Sequence, residues 1–276
     1  MNKSHIFDSI FTYLGFKKQR NFLLIAGPCV IENKSVVFKT CEHIKNISAK
    51  YNLPFVFKSS YIKANRTSGK SFRGIGMEKA LQILVQTKKE FSVPVLTDIH
   101  SEFEAGIAAE VADIIQIPAF LCRQTELLEA AGETGKIINI KKGQFMSPED
   151  MKYQAEKVAS TGNNKILFTE RGTFFGYNNL VVDMRSIIIM KKFGYPVIFD
   201  GTHSVQMPSA NKGVSGGKPE FIEPLSKAAV SAGADGLFIE THPEPMKALS
   251  DGSNMLKLDK FELLVDKIVK LINLKF

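Results

Sequence analysis

The chain has 276 residues, 44% hydrophobic and 23% charged, with three cysteines and a formal net charge of +8. This length and apolar content support one large domain or two of average size, and exclude a disordered or fibrous chain. The basic residues are dispersed, with no run of five or more like charges, which argues against a nucleic-acid partner and favours small anionic substrates.

Cys29, Cys41 and Cys122 are too few, and odd in number, for a disulfide framework, so a reducing cytoplasm is expected. The stretch MNKSHIFDSIFTYLGFKKQR carries its basic residues after its apolar ones, unlike a signal peptide. No run approaches the ~20 apolar residues of a membrane span. The expectation is a soluble, unprocessed chain with no membrane partner.

In chain order, residues 1–20 read as an N-terminal extension, a helix or strand that caps the N-terminal end of the main domain. Residues 21–276 read as that one domain. Short apolar, β-branched runs recur at NFLLIAG (21–27), FVFKSS (55–60), PVLTDI (94–99), IIQIPAF (114–120), KIINIK (136–141), KILFTE (165–170), PVIFDG (196–201) and GLFIET (236–241). Each is nearly continuous in apolar residues, the pattern of a parallel strand buried on both faces. Amphipathic segments lie between them, including 77–91, 153–160 and 259–272. SPED (147–150) predicts a helix start, with Ser147 as N-cap and Pro148 at the first helical position. GIGMEK (74–79) has too few glycines after a strand for a nucleotide fingerprint and reads as a loop entering a helix. Eight strands alternating with helices predict an α/β fold, a closed (β/α)₈ TIM barrel, with an open doubly wound sheet as the alternative.

In such a barrel the active site lies at the C-terminal strand ends. Those ends deliver Cys29, Lys58, Lys63, Asp98, His100, Gln116, Lys141, Glu170, Arg171, Asp200, His203, Glu240 and His242 to one rim. Lys58, Lys63, Lys141 and Arg171 come from four segments and suit phosphate and carboxylate groups. Asn65, Arg66 and Thr67, in the turn-rich KANRTSGK, suit a second phosphate. Lys142, one residue beyond Lys141, reads as a solvated surface lysine. Cys29, His203, Glu240 and Asp251 form a mixed sulfur, nitrogen and oxygen set suited to a divalent first-row transition ion, with His100, His242 and Asp98 as competing ligands. Cys41 and Cys122 read as packing residues. The Gly- and Lys-rich loop NKGVSGGKP (211–219) is placed to close over the mouth.

IAGPCVIE, FKSSYIKANRTS, TDIH, IQIPAFLCRQTELL, NIKKGQF, TERGTFFGYNNLVVDMRS, FDGTHSVQ and IETHPEPMKALSDG, in this order from about residue 22 to 256, together resemble the 3-deoxy-D-manno-octulosonate 8-phosphate synthase family. The resemblance implies condensation of phosphoenolpyruvate with D-arabinose 5-phosphate and water, with release of phosphate, towards the inner sugar of lipopolysaccharide. It also implies a (β/α)₈ barrel, a homotetramer and, because cysteine stands at position 29, the class that requires one divalent metal ion (Fe²⁺, Zn²⁺, Mn²⁺ or Co²⁺). Carried over by position, Lys58, Lys63, Ala119, Lys141 and Arg171 would bind phosphoenolpyruvate, and Asn65, Arg66 and Thr67 the arabinose 5-phosphate. Asp98, Gln116 and Phe120 would line the pocket, with Arg123 reaching towards a neighbouring subunit's site. Cys29, His203, Glu240 and Asp251 would hold the metal, with Lys63, His203 and Asp251 as catalytic residues. A sister synthase that uses erythrose 4-phosphate shares the GPC turn, but its sugar loop carries Lys-Pro-Arg where this chain has KANR. A non-catalytic sugar-phosphate-binding barrel is the reading from another class.

Overall fold

All eight predicted apolar runs form strands, and every residue of every one of those strands is buried. The computed structural model describes residues 3–16, 19–64, 72–174, 179–211 and 214–274. Its strands are β1 (Leu23–Gly27), β2 (Phe55–Lys58), β3 (Val95–Asp98), β4 (Ile114–Ile117), β5 (Ile137–Lys141), β6 (Ile166–Glu170), β7 (Val197–Asp200) and β8 (Gly236–His242). Each pairs in parallel with the next, and β8 closes on β1 with Leu23 opposite Gly236 and Gly27 opposite Glu240. A closed parallel sheet with no free edge is the (β/α)₈ barrel, so the open sheet is excluded.

Eight helices come after the strands in turn: α2 (Lys34–Lys50), α3 (Met77–Phe91), α4 (Glu102–Val111), α5 (Thr125–Glu133), α6 (Met151–Ala159), α7 (Arg185–Lys191), α8 (Ile222–Ser231) and α9 (Phe261–Asn273). Helix α2 starts where Asn33 Oδ1 accepts from Val36 N at 2.9 Å, an N-cap that satisfies one of the free first-turn donors. Ahead of the barrel, α1 (Lys3–Tyr13) is the helical form of the expected extension. Its Ile10 and Phe11, with Leu14, pack on Leu23, Ile25, Val56, Leu96, Ile114, Ile137, Leu167, Ile198 and Phe238. These nine come one or two from each strand and form the apolar interior, which α1 plugs from the N-terminal end.

Side chains alternate across a strand, so the inward set continues every second residue towards the C-terminal mouth. Two residues beyond these interior positions stand Gly27, Lys58, Asp98, Gln116, Asn139, Thr169, Asp200 and Glu240. One further step reaches Cys29, Ser60, Lys141 and Arg171. The period of two therefore places an apolar floor beneath a polar mouth. Gly27 is required at its level: a Cβ there would stand 2.0 Å from the Lys58 carbonyl oxygen, against the backbone of the neighbouring strand.

One expectation is corrected, and a second segment gains a defined form. The helix predicted at Ser147 begins at Met151, and its cap residue Asp150 makes no side-chain cap bond. Met151 N donates to Pro148 O at 3.3 Å and Tyr153 N to Asp150 O at 3.1 Å. This i to i+3 spacing makes 148–150 a turn, which the fixed φ of proline suits as well as it suits a first helical position. The Gly- and Lys-rich segment after β7 contains an antiparallel hairpin, Gln206–Asn211 with Val214–Gly217. Residues 212–213 lie outside the described residues, and the expected closure over the mouth stays an expectation. Among the described residues, no helix is long and apolar enough to cross a membrane.

Candidate active site

The Gly27-Pro28 turn ends β1 and delivers Cys29 to the mouth. Ser60 N donates to Cys29 O at 3.3 Å, which holds the turn against the end of β2. The Cys29 Sγ lies 3.0 Å from Ser250 Oγ and donates to Asp251 Oδ2 at 3.1 Å. Asp251 occupies the left-handed region, φ 47°, a conformation short polar residues tolerate better than most. Glu240, on the inward face of β8, completes the group: ligand atoms of Cys29, Glu240 and Asp251 all lie within 4.8 Å of one another, and this set can hold a metal ion. Burial pushes the Cys29 thiol well up, and the Glu240 carboxylate adds to the effect. A divalent cation reverses that balance by binding the thiolate.

The structure brings three of the four predicted ligands into one group, and His203 stands beside them. Its Nε2 is 3.6 Å from Glu240 Oε2, while Nδ1 lies 2.7 Å from Asp200 Oδ2. A carboxylate on one ring nitrogen with the other turned to the site is the usual support of a metal-binding histidine, so the residues fit a transition ion. The competing ligands lie outside this group. His100 Nδ1 lies 3.2 Å from Glu104 Oε2, His242 Nδ1 accepts from Glu244 N at 3.0 Å, and Asp98 accepts from Ser60 and Gln116.

The four cations converge on the same mouth. Lys58 Nζ donates to Glu240 Oε1 at 2.6 Å and to Cys29 O at 3.1 Å. Lys141 Nζ donates to Asp200 Oδ2 at 2.6 Å and sits 3.8 Å above the Phe238 ring, which Lys58 also faces at 5.4 Å. Burial lowers the Lys141 ammonium, Asp200 opposes the shift, and Lys58 reinforces it. Lys63 donates to Ser60 Oγ at 3.1 Å. Burial works against its charge, but Cys29 when ionised, and Glu240, Asp98 and Asp251, hold it above the ordinary lysine range. Arg171 Nη2 donates to Gln206 Oε1 at 2.8 Å and to His203 O at 3.1 Å, while its buried Nε has no hydrogen-bond partner. An unused guanidinium donor among ammonium groups suits an anion with several oxygens.

The remaining predicted positions are spread around this centre. Ala119 is buried at the start of the 3₁₀ turn Ala119–Leu121 after β4, and Phe120 is half exposed. Arg123 is exposed beside a cleft of about 330 Å³ that Phe145, Asp150, Tyr153 and Lys157 also line. Asn65, Arg66 and Thr67 lie outside the described residues. Cys41 and Cys122 are buried and free, as packing residues are. Lys142 is not a solvated surface lysine: it is 1% exposed. Its parity, opposite to that of Lys141, turns it behind the barrel wall. There its ammonium donates to Thr173 Oγ1 at 3.0 Å and lies 3.5 Å from Glu170 Oε1. Phe238, the ring beneath two lysines, and Asp200, the partner of both Lys141 and His203, carry more of the site than their sequence positions suggested. Both were within reach of pattern alone, two residues before Glu240 and at the end of β7 respectively.

Asp98 gives this site a pH signature. Burial raises its carboxyl, but Lys58 and then Lys63 outweigh that and hold it below its ordinary value of 3.8. A lowered carboxyl contributes stability that is complete above the unfolded value and is lost as pH falls towards the folded one. The melting temperature is expected to drop as pH is lowered from about 5 to about 3, and to drop less in Asp98→Asn. Equal acid sensitivity in the two proteins, followed by circular dichroism, would contradict the assignment.

A closed (β/α)₈ barrel with four buried cations and a thiol–carboxylate cluster at its C-terminal mouth is a metal-competent, anion-binding barrel. The DAHP synthetase I family model matches residues 15–273. A 2-dehydro-3-deoxyphosphooctonate aldolase of Geotalea uraniireducens is 55% identical over 249 residues, covering 90% of this chain and 92% of its own. One of Campylobacter jejuni is 52% identical over 266 residues, covering 92% and 98%, and one of Geobacter sulfurreducens is 53% identical over 249 residues, covering 90% and 92%. The chain belongs to the DAHP synthetase I family and, within it, to the 2-dehydro-3-deoxyphosphooctonate aldolases.

Proposed function

We propose that the chain condenses phosphoenolpyruvate with D-arabinose 5-phosphate and water to give 3-deoxy-D-manno-octulosonate 8-phosphate and inorganic phosphate, a transferase reaction of lipopolysaccharide synthesis. The observation that carries this reading is the convergence of Lys58, Lys63, Lys141 and Arg171 beside the Cys29–Glu240–Asp251 cluster. Residues 21–276 are the catalytic barrel and 1–20 the extension. The four cations neutralise the phosphate and carboxylate of phosphoenolpyruvate, with the Ala119 backbone N–H as a further donor, and Asn65, Arg66 and Thr67 hold the pentose phosphate. Asp98, Gln116 and Phe120 line the space between.

Binding both substrates in one mouth sets C3 of phosphoenolpyruvate against the aldehyde carbon, which supplies orientation as well as charge stabilisation. C3 attacks the aldehyde, water adds at C2, and the tetrahedral intermediate loses phosphate by C–O cleavage. Lys63, kept charged by its acidic neighbours, hydrogen-bonds the forming alkoxide, and the Asp251 carboxylate takes up the proton of the added water, with His203 acting as a ligand held by Asp200. Cys29, His203, Glu240 and Asp251 would hold one divalent Fe²⁺, Zn²⁺, Mn²⁺ or Co²⁺, which would supply Lewis-acid chemistry when bound. The cleft at Arg123, lined also by half-exposed Phe145 and exposed Tyr153, is the face we assign to a homotetramer. Three free buried thiols agree with a cytoplasmic setting.

The test is product analysis. Phosphoenolpyruvate labelled with ¹³C at C2 and mixed with arabinose 5-phosphate should give a ketose hemiketal resonance together with phosphate. Labelled pyruvate as the product would mean simple phosphate hydrolysis and would overturn the reading.

A further inference from the structure

A line of buried side chains crosses the barrel from β6 to β3. Thr169 and Asn139 are 0% exposed, Gln116 3% and Asp98 6%. Thr169 Oγ1 donates to Asn139 Oδ1 at 2.7 Å, Asn139 Nδ2 donates to Gln116 Oε1 at 3.0 Å, and Gln116 Nε2 donates to Asp98 Oδ1. From the other side, Ser60 Oγ donates to Asp98 Oδ2, and Lys63 Nζ donates to Ser60 Oγ at 3.1 Å.

The direction of this line is forced. An ionised carboxylate only accepts, so Gln116 must turn its NH₂ to Asp98 and its oxygen to the next strand. Asn139 must then turn its own NH₂ to Gln116, which leaves its oxygen for a hydroxyl donor. Thr169 is that donor. Exchanging any one amide's ends would set two acceptors or two donors face to face in a site without exposure. The two residues at the far end of the line stand in the same layer as Asp98 and Gln116 and have no part in the binding groups described above.

We propose that Thr169 and Asn139 are positioning residues: they anchor the far end of the Gln116 amide, whose direction Asp98 dictates, and so hold in place the Asp98 carboxylate and, through Ser60, the Lys63 ammonium. The line thus sets the end of the pocket that takes the phosphorylated enol substrate. This inference rests on the proposed reaction and names residues that reading leaves out.

The test is a pair of substitutions at one atom. Thr169→Val keeps the branched shape and removes the hydroxyl, leaving Asn139 Oδ1 buried and unpaired, so that the Asn139 amide shifts from its place and the Gln116 amide with it. Thr169→Ser keeps the hydroxyl. The valine protein is expected to lose about 5- to 10-fold in kcat/KM for phosphoenolpyruvate, through KM, with KM for the pentose phosphate unchanged. The serine protein should stay within about twofold of wild type. A valine protein equal to wild type, or a serine protein that falls as far as the valine one, would overturn the proposal. A measurement independent of turnover accompanies it: in ¹⁵N-glutamine-labelled protein the Gln116 side-chain amide resonances should move in Thr169→Val and return in Thr169→Ser. Unmoved resonances would overturn the relay whatever the substrates prove to be. Absence of turnover in wild type with these shifts present would instead remove the reaction and leave the relay standing.

Discussion

Lys142→Met is expected to destabilise the protein by about 3–5 kcal/mol, the range for removing one partner of a buried ion pair. Lys142 and Glu170 are each 1% exposed, and their charged atoms are 3.5 Å apart. Glu170 also accepts from Gly172 N at 2.6 Å and from Ser186 Oγ at 2.7 Å, so its carboxylate is held in place when the ammonium is gone. The carbonyls of Gly143 and Met146, which the ammonium also caps at 3.3 and 3.4 Å, lose a donor at the same time. The denaturation midpoint should fall with the slope of the transition unchanged. A Lys142→Met/Glu170→Gln double variant should recover much of the loss, since a buried pair as a whole contributes little beyond what an apolar or neutral replacement gives. A single variant within about 1 kcal/mol of wild type would show that water reaches the pair.

Cys29→Ala is expected to weaken divalent-metal binding by at least about 100-fold, since losing even a supporting contact of a metal ligand costs about 10- to 100-fold. Stability should change little, because among the described residues the thiol hydrogen-bonds Ser250 and Asp251, at 3.0 and 3.1 Å, and follows a strand end rather than filling the apolar floor. Titration calorimetry with Mn²⁺ reads the affinity, and thermal melting reads the fold. Global unfolding of the variant would give the thiol a core role instead. Chelation of the wild type should abolish turnover, with Mn²⁺, Co²⁺, Fe²⁺ or Zn²⁺ restoring part of it, and full turnover in the stripped protein would contradict the metal assignment.

The barrel was legible in the sequence because parallel strands covered on both faces leave continuous apolar runs, and eight such runs admit closure. The cations were legible because each ends one of those runs or, for Lys63, comes a few residues after it. Lys142 was misread for a related reason. Once the strand was taken to end at Lys141, the next residue looked solvated, although strict alternation turns it to the back of the wall. There Glu170 has the matching parity, one residue before inward-facing Arg171. The turn at 148–150 was misread because proline and the acidic residues after it suit a tight turn and a helix start alike. The line from Thr169 to Asp98 was hidden because no short motif links residues from four strands, and only the register of Asp98 with Gln116 and of Gln116 with Asn139 brings them side by side. The metal set was open among seven candidates, and three-dimensional proximity selects Cys29, Glu240 and Asp251.

The most direct measurement is phosphate release from phosphoenolpyruvate, followed at steady state with arabinose 5-phosphate and with erythrose 4-phosphate. A pocket that pairs a hydroxyl of the five-carbon sugar leaves buried polar groups unsatisfied with the four-carbon one, a penalty that in hydrogen-bonding sites reaches about 10⁴-fold. The account predicts kcat/KM at least about 100-fold higher for arabinose 5-phosphate. Comparable values for the two aldoses, or a preference for erythrose 4-phosphate, would contradict it.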